Sequence, residues 1–189
     1  MTGRFIAVVG PSGVGKDSVM EGLAALEPRI ALARRVISRP SDAGGEAFDG
    51  VSETEFEARV TDGQFALWWA AHGLSYGIPA SVDDVLAEGR DVVANLSRGV
   101  LKGAQDRFDQ VIVVLLTAPA SVLAARLTAR GREDSAEITR RLARATFDMP
   151  TSVQAIEIDN AGTLQDAIAA THAALYPSYE PLTPLSTPA

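Results

Sequence analysis

Residues 5–18 read Phe-Ile-Ala-Val-Val-Gly-Pro-Ser-Gly-Val-Gly-Lys-Asp-Ser. Phe5–Val9 is a short apolar, β-branched run that stops at Gly10-Pro11, which predicts a buried strand rather than a helix. From Lys16 to Leu26 the apolar residues Val19, Met20, Leu23 and Leu26 fall at helical spacing. Between the two lies a stretch of the form G-x-x-x-x-G-K, Gly10 to Lys16. Strand, motif and helix in immediate succession predict a phosphate-binding loop. The glycines let the backbone turn so that successive N–H groups face inward at phosphate oxygens. The helix adds its positive N-terminal end. This assigns Gly10, Pro11, Ser12, Gly13, Val14, Gly15, Lys16, Asp17 and Ser18 to the polyphosphate of ATP. Lys16 would bridge the β- and γ-phosphates and follow the charge as it moves. A ligand-free Gly-rich turn is the bland alternative, and the flanking strand and helix speak against it.

The residue after the lysine usually carries a hydroxyl for Mg²⁺; here it is Asp17, with Ser18 next. A carboxylate can hold Mg²⁺ directly or through water, which makes Asp17 and Ser18 the candidate metal residues. Equally, Asp17 can simply favour the helix N-terminus electrostatically.

Working outward, strand and helix patterns alternate. Ile30–Ile37 is a weaker strand candidate, interrupted by arginines, and a helix is expected around Glu53–Asp62. Helices follow at Val82–Glu88 and Gly99–Arg107, with buried strands at Asp91–Asn95 and Gln110–Thr117. Pro119 suits the first turn of a helix running to about Ala129. Further helices are expected at Ser135–Phe147 and Thr163–Leu175, with a strand at Ala155–Ile158 between them. This order predicts an α/β fold of the P-loop NTPase type: three layers around a parallel five-stranded sheet, with ligands at the carboxyl ends of the strands. We expect a kinase domain over 1–176, an acceptor-binding insertion at 38–80 and a lid at 130–137. Residues 177–189 hold four of the ten prolines and read as a tail.

The chain has 189 residues, 47% of them hydrophobic and 22% charged, as expected for one globular domain. Its net charge of −7 argues against general affinity for nucleic acid or an anionic membrane. The absence of cysteine excludes disulfides, thiolate metal sites and a cysteine nucleophile, and fits a cytoplasmic protein. No targeting segment is expected at the N-terminus. A homodimer is left open.

Six arginines, Arg126, Arg130, Arg132, Arg140, Arg141 and Arg144, fall within nineteen residues. Arg126/Arg130 and Arg140/Arg144 are spaced i,i+4 and repel on their helices unless an anion sits between them. The arrangement suits a lid that closes over polyphosphate, with Arg130, Arg132 and Arg141 as the catalytic arginines beside Lys16. A solvated face paired with Glu133, Asp134 and Glu137 is the alternative for some of the six, Arg126 among them.

Over nearly its whole length the chain resembles the guanylate-kinase branch of the P-loop kinases. Gly10–Lys16 matches the phosphate loop. Ser38-Arg39-Pro40, Gly45-Glu46, Asp49-Gly50-Val51, Ser52, Phe56, Gly63 and Phe65 track the acceptor-binding insertion. His72-Gly73-Leu74-Ser75-Tyr76-Gly77-Ile78-Pro79 matches a further segment, Gly131 to Ala145 resembles the lid, and Ile158-Asp159-Asn160 resembles the strand end beside the adenine. The resemblance implies that Arg39 and Tyr76 grip the acceptor's phosphate and that Asn160 lies near the adenine. Guanidinium and phenol are apt phosphate donors.

The departures narrow the reading. The family's second phosphate-gripping arginine gives way to Ser41-Asp42-Ala43. A guanine-reading glutamate aligns with Leu67, a guanine-reading serine falls near Arg35, and an acidic pair becomes Asn95 and Ser97, followed by Arg98. A site without those carboxylates cannot pair with the N–H edge of guanine, which usually costs several orders of magnitude in discrimination. The Gly-Lys-Asp-Ser loop, Ser-Arg-Pro without a second arginine, Trp69 to Pro79 and Asn95-x-Ser-Arg98 together resemble the ribose 1,5-bisphosphate phosphokinases of bacterial phosphonate utilisation. That resemblance implies ATP and Mg²⁺, a sugar-phosphate acceptor, and Arg39, Glu46, Asp49, Tyr76, Asn95, Ser97 and Arg98 as acceptor residues. Glu46 and Asp49 would orient ribose hydroxyls or belong to a solvated loop. His72 reads as a loop residue rather than an acid or base, because an anionic phosphate acceptor needs no proton removed. Of Trp68 and Trp69, one is expected in the core. Two other classes are kept: a nucleoside-monophosphate kinase acting on GMP, and a non-catalytic guanylate-kinase-like binding module.

Overall fold

The computed structural model describes residues 2–40, 47–130, 149–150 and 153–177. Glu46, the side chain of Arg130, Arg132, Arg141, the helix expected at 135–147 and the tail from 178 on lie outside the described residues.

Strand β1 (Phe5–Val9) is buried on both faces, and its side chains alternate between two cores. Ile6 and Val8 pack with Val19, Met20 and Leu23 of α1 (Lys16–Leu26). Phe5, Ala7 and Val9 face the other way. They meet Val82 of α3 (Val82–Ala87) and Leu101 and Ala104 of α4 (Leu101–Arg107). Layers thus form on both sides of a parallel sheet of order β2-β7-β1-β8-β9, as its apolar strand sequences require. Its other strands are β2 (Ile30–Leu32), β7 (Asp91–Asn95), β8 (Val111–Thr117) and β9 (Ile156–Asp159). Helices α5 (Ala120–Arg130) and α6 (Leu164–Leu175) complete the α1 side, through Leu123 and through Ala167 and Leu175.

A second sheet, of order β4-β3-β6-β5, is formed within residues 36–79. It comprises β3 (Val36–Ile37), β4 (Asp49–Gly50), β5 (Phe65–Ala71) and β6 (Leu74–Pro79), with α2 (Glu53–Thr61) between β4 and β5. Here the single strand expected at 30–37 divides. Ala33 still donates to Val93 O at 2.9 Å, but Asp49 N donates to Arg35 O at 2.9 Å, so the chain changes sheets within Ala33–Arg35. The interrupting arginines mark the crossing. Strands β5 and β6 form a hairpin in place of the loop expected around His72. His72 and Gly73 both have positive φ, 55° and 74°, the conformation of a two-residue type I′ turn. Among the described residues no helix is long and apolar enough to cross a membrane.

Candidate active site

The site residues gather where β1, β7, β8 and β9 end. Gly15 closes the loop as the N-cap of α1, with φ 94°, and a Cβ there would come within 2.8 Å of Asn160 Nδ2. Only glycine fits that turn and that approach. Asn160 follows β9 and is buried. Its main-chain N–H donates to Thr117 O at 2.8 Å and its side-chain amide donates to Val14 O at 2.7 Å. Arg126 of α5 donates to the same carbonyl through Nη1 at 3.4 Å. Arg126 therefore touches the phosphate loop rather than lying on a purely solvated face. Lys16 Nζ donates to Gly10 O at 3.0 Å and Pro11 O at 3.2 Å, which folds the ammonium over the mouth of the loop.

Two of the residues assigned separately from sequence meet here. Asn95, the last residue of β7, lies level with Val8, just before the loop opens. Its Nδ2 donates to Asp17 Oδ1 at 3.1 Å. Ser18 is exposed. Among the described residues no group of three or more His, Asp or Glu could hold a metal ion. Mg²⁺ commonly takes one or two carboxylates and completes its shell with phosphate oxygens and water, so Asp17 together with a nucleotide fits it.

Several residues expected to bind the acceptor lie on or beside the second sheet. Trp69 and Tyr76 are cross-strand partners and stack, with centroids 5.4 Å apart and planes at 10°. Trp69 is buried, and its Nε1 donates to Ser97 Oγ at 3.1 Å, tying the insertion to the loop after β7. The core tryptophan is thus Trp69; Trp68 is 52% exposed. The Arg35 guanidinium is buried and lies 5.3 Å from the centre of the Tyr76 ring. Ser38 and Ser75 exchange hydrogen bonds: Ser38 N donates to Ser75 O at 3.0 Å and Ser75 N to Ser38 Oγ at 2.8 Å. This clamp fixes the backbone just beyond the Ile37–Tyr76 pair, and the next residue, Arg39, packs its guanidinium 4.2 Å from the Phe48 ring centre. Leu67, two residues from Trp69, is half-buried and turned toward α4, so that a Cβ on Gly103 would meet its Cδ1 at 3.7 Å. Arg98 opens a 3₁₀ turn, Arg98–Val100, and is half-buried. Asp49 stands apart from this group. Its exposed carboxylate faces Arg34 at 3.7 Å.

The contacts that sequence reasoning missed are Arg126–Val14, Asn95–Asp17 and Trp69–Ser97. Each joins residues from separate elements, brought together by the packing of those elements rather than by local pattern. The one usable signal was at β5 and β6, where apolar residues flank a His-Gly pair that suits a tight turn.

A lysine-bearing Gly-rich loop between β1 and α1, at the carboxyl edge of a five-stranded parallel sheet, defines a P-loop nucleotide-binding protein. Solved structures share the fold. A guanylate kinase from Anaplasma phagocytophilum superposes with TM-score 0.63 at 17% identity, covering 92% of this chain and 85% of that one. A gluconokinase from Sinorhizobium meliloti gives TM-score 0.55 at 21% identity, covering 92% and 91%. No protein-family model matches the chain. Among curated proteins, a ribose 1,5-bisphosphate phosphokinase from Ruegeria sp. (strain TM1040) is 53% identical over 167 residues, 88% of each chain. One from Pantoea vagans is 47% identical over 167 residues, 87% of this chain and 93% of that protein. A bifunctional ribose 1,5-bisphosphokinase-thymidine phosphorylase from Cupriavidus necator is 48% identical over 165 residues, 87% of this chain but 28% of that longer protein. The chain belongs to the ribose 1,5-bisphosphate phosphokinase family.

Proposed function

We propose that this kinase transfers the γ-phosphoryl group of ATP to the C1 phosphate of ribose 1,5-bisphosphate. The products are 5-phosphoribosyl 1-diphosphate and ADP, and the setting is phosphonate catabolism in the cytoplasm. The observation that carries the acceptor assignment is the wall made by Leu67, Trp69 and Ser97. Leu67 packs toward α4 and Ser97 is held by Trp69, so the wall presents an aliphatic chain and a hydroxyl where a guanine reader would need carboxylates.

The attacking phosphate oxygen is already anionic, so no residue need act as a base. Catalysis is alignment of two polyanions and neutralisation of their repulsion. The loop amides of Gly10–Gly15 bind the triphosphate, and Lys16 leaves the Gly10 and Pro11 carbonyls for the β- and γ-phosphates. Arg39, Tyr76 and Arg98 orient the sugar bisphosphate, with Asn95 and Ser97 beside it. Arg130, Arg132 and Arg141 neutralise the transferring group, and Asn160 borders the adenine. Mg²⁺ bound with ATP at Asp17 would screen the phosphate charges. Residues 1–176 form the kinase domain, with the acceptor insertion at 38–80 and the lid at 130–137.

An acceptor screen tests the reading. ADP release is followed with ribose 1,5-bisphosphate and with GMP, and the product is identified by mass. Turnover of the sugar bisphosphate well above GMP is expected. The reverse order would assign the enzyme to nucleotide acceptors.

A further inference from the structure

Asp17 lies in the first turn of α1 and Asn95 at the end of β7, and the bond between them spans the gap from loop to neighbouring strand. Asn95 is only 6% exposed, so its amide is held by the sheet around it. Among the described residues Asn95 is the one side chain that donates to Asp17, and no cation pairs with that carboxylate. One oxygen is therefore engaged and the other keeps its lone pairs.

In P-loop enzymes the residue after the lysine usually offers a hydroxyl to Mg²⁺, and a carboxylate stands on a neighbouring strand. In this chain the carboxylate is on the loop and the neutral side chain is at the strand end. We infer that the two positions have exchanged chemistry: Asp17 supplies the protein's carboxylate to the Mg²⁺ of the ATP complex from the loop side, and Asn95 is a positioning residue that fixes Asp17 for it. The exchange keeps one negative charge at the site and moves it toward the phosphates. A neutral amide can orient the carboxylate without cancelling its charge, as the outer partners of metal ligands do. The inference rests on the kinase reading above but not on which acceptor is used.

Metal affinity can be read without turnover. Mn²⁺ is titrated into the full chain saturated with a non-hydrolysable ATP analogue, and free Mn²⁺ is followed by electron paramagnetic resonance. The isosteric Asp17→Asn should weaken Mn²⁺ binding by about tenfold or more. Asn95→Leu should weaken it by about three- to tenfold and leave metal-free binding of the analogue unchanged, because its amide reaches the metal through Asp17 and not through the nucleotide. The exchanged pair Asp17→Ser/Asn95→Asp should bind Mn²⁺ within about threefold of the native protein, and better than Asp17→Ser alone. Undiminished Mn²⁺ affinity in Asp17→Asn would overturn the inference. So would an exchanged pair no better than Asp17→Ser. An Asn95→Leu variant with altered KM for ribose 1,5-bisphosphate and an unaltered Mn²⁺ titration would leave Asn95 an acceptor contact only and overturn its positioning role. No acceptor is present in the titration, so a protein that used another acceptor would leave these results standing. Failure of the native chain to bind the analogue would refute the kinase reading and this inference together.

Discussion

The side-chain amide of Asn160 donates to the main-chain carbonyl of Val14 at 2.7 Å, so the end of β9 holds the floor of the phosphate loop. Both groups are buried, and a Cβ on Gly15 would strike the same amide. The loop's shape thus depends on a residue 146 positions away. Asn160→Ala leaves the Val14 carbonyl to Arg126 alone, which should cost about 1–3 kcal/mol of stability. As the loop loses its support, KM for ATP should rise about tenfold, equivalent to roughly 1.4 kcal/mol. Thermal melts and initial rates check both. A lowered melting point with unchanged KM for ATP would make Asn160 a packing residue only.

Lys16 donates to two loop carbonyls, Gly10 O and Pro11 O, which keeps the ammonium at the mouth of the loop. Lys16→Ala should lower the rate by roughly two orders of magnitude or more, the usual effect of removing a preorganised electrostatic group. Its melting point without ligand should change little. Near-native turnover in this variant would contradict the role given to Lys16.

Trp69 joins the acceptor wall to the core through two distinct contacts, the Tyr76 stack and the Ser97 hydrogen bond. Trp69→Phe keeps a ring against Tyr76 but removes the donor, and should cost about 1 kcal/mol. Trp69→Ala also opens a cavity, and should cost about 3–5 kcal/mol. Both should raise KM for the sugar bisphosphate more than KM for ATP, because Trp69 holds Tyr76 and Ser97 rather than the phosphate loop. Denaturant melts and separate substrate titrations distinguish these effects.

His72 has a positive φ of 55°, which a β-substituted side chain adopts at some cost and which Asn tolerates better. His72→Asn should stabilise the hairpin by about 0.5 kcal/mol and leave the rate unchanged, since no proton transfer is required. A large loss of rate at constant stability would give the imidazole a chemical role.

The parts of this fold that were legible in the sequence are those with local causes. The Gly-Lys loop and the helical spacing of Val19, Met20 and Leu23 fix β1, the turn and α1, and the helix begins and ends at Lys16 and Leu26 as its apolar pattern implies. The two-residue strands β3 and β4 carry no pattern that a sequence could display. The hairpin was obscured because the adjacent Trp68 and Trp69 break the alternation that marks a strand, although they do point to opposite faces. Asp17 and Asn95 were each singled out by their chemistry, but nothing local says that residues 78 apart touch. That contact follows from the register of β1 with β7, which is a property of the sheet.

At the opposite end of the sheet, Arg4, Asp91 and Tyr176 lock the start of β1 and β7 to the end of α6. Arg4 donates to Asp91 from its main-chain N at 2.7 Å and from Nε at 3.0 Å, and Tyr176 Oη donates to the same carboxylate. The guanidiniums of Arg4 and Arg29 lie 4.7 and 4.5 Å from the centre of the Tyr176 ring. Burial opposes the charge on Asp91, yet the donated bonds from Arg4 and Tyr176 outweigh it and hold the carboxyl below its usual range. The Arg29 side chain, which donates to Glu27, brings that carboxyl down to about 2. Both groups are charged more readily in the folded chain. Their stabilisation is present above the ordinary carboxylate range and is lost as pH falls below about 4. For Tyr176 the sign reverses. Burial, then the bond to Asp91, pushes its phenol up to about 12. Stability from the neutral phenol is complete below about pH 10 and declines as pH rises toward its folded value. Melting temperature should therefore fall at both ends of the pH range. Asp91→Asn should flatten the acid limb, and Tyr176→Phe should flatten the alkaline limb. In an absorbance titration of the folded protein, a phenolate that forms near pH 12 should disappear in Tyr176→Phe. An alkaline limb unchanged by that substitution would show that the anchor at the end of α6 does not depend on this proton.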